Sequence, residues 1–266
     1  MSNGSHPLRR STDHQPEADT RTVSLVVPVR PGDRDTGWLL DQLPAEVREV
    51  VLVGHASGDS DTDSGTRTGH GTVSVRRLGP WNCEAGDIPH AGLLAARGDH
   101  IVLMGADGTM SPKEIPHYLH YLESGYDFVK GSRFIAGGDF ADYPLLRRLG
   151  HSALLRLARQ LYGQHLTDLW FGFCAFRRGF VNLLELREDG VELGAELVTH
   201  ALHYGLRIAE VPSLELPHRH GPSRARTVRD GTRILGRLLD ERPHNALIRL
   251  TPRARPQKQA ERARPA

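Results

Sequence analysis

The chain has 266 residues, 38% hydrophobic and 25% charged, with a formal net charge of +2. That balance is ordinary for a soluble globular domain with a sizeable core. Two cysteines, Cys83 and Cys174, exclude a disulfide framework, and no apolar run approaches the roughly 18 to 20 residues of a membrane span.

The first 21 residues are polar and rich in Ser, Thr, Asp and Pro, which reads as a disordered segment with no secretory leader. "TVSLVVPVR" (Thr22–Arg30) is a buried strand closed by Pro31-Gly32. A second strand runs from Glu49 to Val53 into a Gly/Ser loop, and the polar stretch from Asp59 to Gly71 reads as a surface loop. Thr72–Leu78 is a third strand, Ile88–Ala96 a short helix, and His100–Met104 another strand. "SPKEIPHYLHYLESG" has a capping Ser111, Pro112 at the first helical position and a closing Gly125. "YDFVKGSRF" gives a strand and loop. Leu145–Leu161 is an amphipathic helix whose apolar face is Leu146, Leu149, Ala153, Leu157 and Leu161. This face covers the sheet, although such a helix can also lie in a membrane interface. After a loop holding Asp168 come the strand-like "CAFRR", a helix Leu193–Tyr204 closed by Gly205, the strand "LRIAEVP" and a last helix Thr227–Glu241.

Strands alternating with helices imply a single α/β domain, a mostly parallel central sheet flanked by helices, over residues 22–242. Residues 243–266 form a basic tail that reads as solvated and disordered and can touch anionic lipid; no nucleic-acid partner is expected. Ligands of such sheets bind at the carboxyl ends of strands, which singles out Gly54–Asp59, Gly105–Gly108 and Gly131–Arg133.

The ordered set "VLVGHASGDSD", "GDHIVLMGADGTMSPKEIP", "GYDFVKGSRFIAGG", "LTDLWFGFCAFRR", "VELGAELVTHALHYGLRIAEVP" and "HRHGPS" resembles the family 2 glycosyltransferases, in particular the dolichol- or polyprenyl-phosphate sugar transferases. The resemblance implies a GT-A (Rossmann-like) fold. It also implies inverting transfer of a sugar from a nucleoside-diphosphate sugar to a polyprenyl-phosphate or small-molecule acceptor, with a divalent metal (Mg or Mn) against the leaving diphosphate.

The donor side departs from that pattern. Gly54 stands where relatives usually keep a base-binding Asp, or that position is deleted, and Asp59 matches the later acid. No lysine accompanies "PWNCEAGDIPHAG". Gly105-Ala106-Asp107-Gly108 keeps only the second carboxylate of the usual metal pair, so metal binding is expected to be weakened. His218 and His220 are candidates to complete a metal site with Asp107.

The resemblance further implies donor contacts by Pro28, Asp59, Asp107, Arg219 and Ser223, and acceptor-phosphate contacts by Ser132, Arg133, Arg147 and Arg148. It gives Asp168 the place of a general base for a hydroxyl acceptor, or of a loop anchor where the acceptor is a phosphate. Trp170 and Phe171 form an apolar wall or plain core, and Glu192 and Glu196 either serve the site or balance a helix start. The alternative to an enzyme is a catalytically degenerate homologue acting as a binding or scaffold protein. The expected location is cytoplasmic, with a peripheral contact at the inner face of the membrane.

Overall fold

The computed structural model describes residues 21–30, 33–54, 62–68, 71–79, 88–140, 145–184 and 192–219, together with helical residues at 232, 235, 236, 238 and 239. The strands are β1 (Val23–Pro28), β2 (Val47–Val53), β3 (Thr62–Thr68), β4 (Gly71–Leu78), β5 (His100–Leu103), β6 (Phe128–Ser132), β7 (Asp139–Phe140), β8 (Cys174–Arg177), β9 (Ile208–Pro212) and β10 (Leu214–Glu215). The helices are α1 (Thr36–Asp41), α2 (Ile88–Ala95), α3 (Ile115–Glu123), α4 (Leu145–Tyr162) and α5 (Glu192–His203).

Eight strands form one sheet in the order β3-β4-β2-β1-β5-β8-β6-β9, and β7 and β10 pair separately. The β1, β2, β4 and β5 neighbours are parallel, as are β6 and β9. Antiparallel β8 enters between β5 and β6, and β3 runs antiparallel to β4. The sheet is therefore mixed, with four of its seven neighbouring pairs parallel.

Strand alternation divides the core into two layers. Val26, Val51, Val53, Ile101, Leu103, Phe128 and Phe176 face one way and cluster with Leu93 of α2, Leu154 and Ala158 of α4 and Leu197 of α5. Leu25, Val27, Val50, Leu52, Val102 and Val129 face the other way, toward Leu39 of α1 and Ile115, Tyr118 and Leu122 of α3. Helices on both faces are why β1 reads as an apolar run broken only by Ser24, itself fully buried: neither of its faces meets water. Each such aliphatic side chain contributes about 1.5–3 kcal/mol of burial.

Three expectations need correction. The stretch read as a loop contains β3, which pairs with β4 from Thr62 opposite Arg77 to Thr68 opposite Gly71. It is an edge strand of polar residues, so the alternation that marks a half-buried strand is missing. The buried side of α4 is His151, Leu154, Ala158 and Tyr162, whereas Leu149 is 63% exposed and Ala153 also faces water. Leu157 and Leu161 pack only at the margin of that core. The helix is apolar in more than one direction, and packing chose a stripe rotated from the expected one. Finally, Ser111 and Pro112 open a 3-10 turn, Pro112–Glu114, ahead of α3 rather than α3 itself; the Ser111 carbonyl accepts from the Glu114 amide (3.1 Å) but its side chain makes no capping bond, and Gly125 closes α3 at φ 100°. The six-residue α1 was not foreseen. Of the last helix, Leu238 is fully buried and its carbonyl accepts a bond from the Tyr162 hydroxyl. The rest of the expected Thr227–Glu241 segment lies largely outside the described residues.

No helix among the described residues is long and apolar enough to cross a membrane.

Candidate functional site

The parallel register brings the ends of β1, β2 and β5 together. Pro28 lies opposite Val53, the Val29 amide donates to the Val53 carbonyl (2.7 Å), and the Met104 amide donates to the Val26 carbonyl (3.2 Å). Gly54, just beyond β2, adopts φ +85°, and a Cβ there would stand 2.8 Å from the Val29 carbonyl oxygen. The position is closed to any side chain unless the backbone shifts. Gly105 is different. A Cβ at Gly105 would meet nothing nearer than Asp107 Oδ1 at 3.5 Å, an ordinary contact.

Asp107 turns the chain after β5. Its Oδ1 accepts from the Thr109 amide (3.1 Å) and hydroxyl (2.7 Å), an Asx-type arrangement. Its Oδ2 faces His218 Nε2 at 3.9 Å, and both side chains are partly open to solvent. His218 arrives on a strap that follows β10. The Leu216 amide donates to the Thr109 carbonyl (2.8 Å), laying the strap across the Asp107 turn. Next along the strap, Arg219 Nε meets Asp35 Oδ1 at 3.1 Å, and the guanidinium lies 4.8 Å from the centre of the Trp38 ring. Gly108, at φ +72°, lies against this pair: a Cβ there would be 2.8 Å from Arg219 Cδ.

A second cluster lies under the neighbouring strand ends. Asp168 is fully buried, and both its oxygens bind Arg133, Nε to Oδ2 at 2.7 Å and Nη2 to Oδ1 at 3.0 Å. Oδ1 also accepts the amides of Trp170 and Phe171. Burial acts to raise the Asp168 carboxyl, but Arg133 and Lys130 overcome it and hold the group well below the usual carboxylate range. Arg133, 3% exposed, also binds Glu215 Oε2 at 2.8 Å. Lys130 is fully buried and donates to the Phe171 carbonyl (2.9 Å); burial pushes its ammonium below the normal range. Glu210 accepts from the Thr167 and Asp168 amides, and burial raises its carboxyl.

The sequence-derived candidates thus separate. Asp107, His218 and Arg219 come together on one surface, with Pro28 at the end of the adjoining strand. Arg133 and Ser132, expected at an acceptor phosphate, are both buried, Ser132 bonding to the Thr167 hydroxyl at 2.6 Å. Asp168 faces Arg133 rather than a solvent-filled cleft, and Phe171 lies beneath the Arg133 guanidinium, 5.1 Å from ring centre to Cζ. Trp170 stacks near His151 in the core. Glu196 is fully buried and Arg148 exposed. Asp59, His220 and Ser223, and the side chains of Arg147 and Glu192, lie outside the described residues. Sequence reading missed Asp35, Trp38, Lys130, Glu210 and Glu215. The one available signal was Lys130, a charge inside an otherwise apolar strand. Among the described residues, no three His, Cys, Asp or Glu side chains gather as a ready metal cage.

Residues 90–184 match the family described as Glycosyl transferase family 2. The chain is 25% identical over 239 residues to an uncharacterized protein of Methanocaldococcus jannaschii, covering 87% of this chain and 97% of that one. It is 34% identical over 129 residues to the dolichyl-phosphate hexose transferase of Haloferax volcanii, covering 48% of this chain and 54% of the relative. The match thus spans about half the length of that named transferase. Among solved structures, glucosyl-3-phosphoglycerate synthase from Mycobacterium tuberculosis, in complex with Mn2+, UDP and its product, superposes with a TM-score of 0.60 at 17% identity. That match covers 83% of this chain and 80% of the synthase. The family match spans β5, the Asp107 turn, Arg133 and Asp168, and the fold is shared with that synthase: residues 90–184 match glycosyl transferase family 2, carried on an α/β fold of the GT-A kind.

Proposed function

We propose that this chain transfers a sugar, with inversion, from a nucleoside-diphosphate sugar bound over the Asp107 turn to a polyprenyl-phosphate acceptor, a small phosphorylated molecule being the alternative acceptor. The carrying observation is the convergence of Asp107, His218 and Arg219 where the parallel strands end, one carboxylate from the turn after β5 meeting an imidazole and a guanidinium that are neighbours on the distant strap. The relatives support the two halves of this reading: the Haloferax protein is named for hexose transfer to dolichyl phosphate, and the mycobacterial synthase was solved with Mn2+ and UDP.

Asp107 and His218 would hold the divalent ion. A single carboxylate with an imidazole suits manganese better than magnesium, which prefers oxygen ligands. When bound, the ion supplies positive charge against the leaving diphosphate. Arg219 adds a second cation on the same side. An acceptor hydroxyl would need a base to remove its proton, whereas a phosphate arrives already anionic. Asp168 has both oxygens engaged inside the protein and serves better as the anchor of Arg133 than as that base. This favours the phosphate acceptor. Exposed Arg156 and Arg159 on α4, beside the projecting Leu149, suit contact with an anionic membrane face on which a lipid acceptor would lie.

One observation favours the degenerate, non-catalytic reading. Gly54 stands where relatives usually keep the base-binding acid, and its backbone now excludes any side chain. Calorimetric titration with UDP, GDP and GDP-mannose, with and without Mn2+, separates the two. Metal-dependent nucleotide binding is expected. No binding at millimolar concentrations would leave the scaffold reading standing.

A further inference from the structure

We propose that Asp35 and Trp38 form a clamp that pre-sets Arg219 for the diphosphate of a nucleoside diphosphate. The inference deepens the donor reading above and rests on it. Asp35 immediately precedes α1 and is 4% exposed. Its carboxylate takes Arg219 at Nε, while Trp38, one turn along, presents its ring to the guanidinium at 4.8 Å. An arginine fixed by a carboxylate at Nε and by an aromatic face keeps its terminal nitrogens for a further anion. The Arg219 side chain is 47% exposed, so that edge is reachable.

The strap carrying Arg219 is tied along its length. The Leu214 amide donates to Glu114 Oε1 at 3.1 Å, Glu215 binds Arg133 at 2.8 Å, and the Leu216 amide donates to the Thr109 carbonyl at 2.8 Å. The Asp35–Trp38 clamp is the next tie, and the first that leaves a charged group facing solvent beside Asp107. Gly108 permits the close approach, because a Cβ there would collide with Arg219 Cδ and crowd the Asp35 carboxylate at 3.2 Å. Ordering this long side chain in advance removes a rotamer-entropy cost from anion binding.

The test uses the full chain with Mn2+, titrated with UDP and with UMP, for the parent, Asp35→Asn, Trp38→Leu and Trp38→Phe. Hydrogen exchange at the Leu216 amide is followed in parallel. Asp35→Asn and Trp38→Leu are expected to lower UDP affinity about five- to tenfold and speed Leu216 exchange, with UMP affinity changed less than about twofold. Trp38→Phe, which keeps an aromatic face, retains most of the UDP affinity. Equal losses for UDP and UMP would reduce the clamp to a general structural support and overturn the inference. Unchanged UDP affinity in both damaging variants overturns the clamp while leaving the donor reading intact. A parent that binds neither nucleotide, with exchange still faster in the variants, overturns the donor reading and with it the phosphate role of Arg219.

Discussion

The two charged regions at the strand ends are built in opposite ways. Around Arg133 the charges are answered: Arg133, Asp168 and Lys130 are buried, and the partly buried carboxylates of Glu215 and Glu210 complete the cluster. Around Asp107 the charges are sparse and partly open, and Asp107, His218 and Arg219 all keep solvent-facing surface. The contrast reverses the weighting the motifs invite. Ser132, Arg133 and Asp168 hold β6, the 168 loop and β10 together, while the Asp107 end presents the groups a ligand can reach.

The largest expected effect breaks the buried side. Asp168→Ala removes the carboxylate that takes both Nε and Nη2 of buried Arg133, leaving that cation only Glu215, and should cost about 3–5 kcal/mol in chemical denaturation. A loss under about 1 kcal/mol would mean the cluster is solvated and available for chemistry.

The next pair of variants sharpens the open side. Gly54→Asp forces a side chain into a left-handed backbone against the Val29 carbonyl and should destabilise by at least about 1–2 kcal/mol. Gly105→Asp meets only an ordinary contact with Asp107, so stability should change by less than about 0.5 kcal/mol. It should raise Mn2+ affinity about tenfold by adding a hard oxygen ligand beside Asp107. Equal destabilisation by the two would contradict the local geometry, and no gain in metal affinity from Gly105→Asp would remove Asp107 from the metal site.

A smaller effect concerns pH, at the end of the sheet away from both clusters. His100 is 2% exposed, its Nε2 has no hydrogen-bond partner, and burial holds its pKa below 6.5. The unfolded chain therefore binds a proton that the folded chain refuses. Stability contributed by neutral His100 is present above pH 6.5 and falls as the solution is acidified from there to the lowered folded value. The slope from this group is at most about 1.4 kcal/mol per pH unit. His100→Gln should flatten the dependence of melting temperature on pH between 7 and 5.5; an unchanged profile would assign the acid sensitivity elsewhere.

The smallest effect tests the proposed membrane contact. Arg156→Glu with Arg159→Glu should weaken binding to phosphatidylserine vesicles by about 1 kcal/mol per arginine removed from the surface, with the melting temperature nearly unchanged. Equal binding by parent and variant would discard α4 as the contact.

Much of the frame was legible along the chain. Predominantly apolar runs marked β1, β2 and β5 because strands buried on both faces do not alternate, and the Gly-Ala-Asp-Gly turn marked the strand end where Asp107 stands. β3 was hidden because an edge strand of polar residues carries no apolar period. The orientation of α4 was hidden because its leucines spread around more than one face. The sequence by itself determined the alternation of elements, the family resemblance and the presence of glycine at positions 54 and 105, all properties of local pattern. Only the tertiary structure decided which charges are internal and which meet solvent. Arg133 pairs with Asp168 and Arg219 with Asp35 through contacts between segments far apart in the chain, and a charge's environment is fixed by those distant neighbours, not by the residues beside it in sequence.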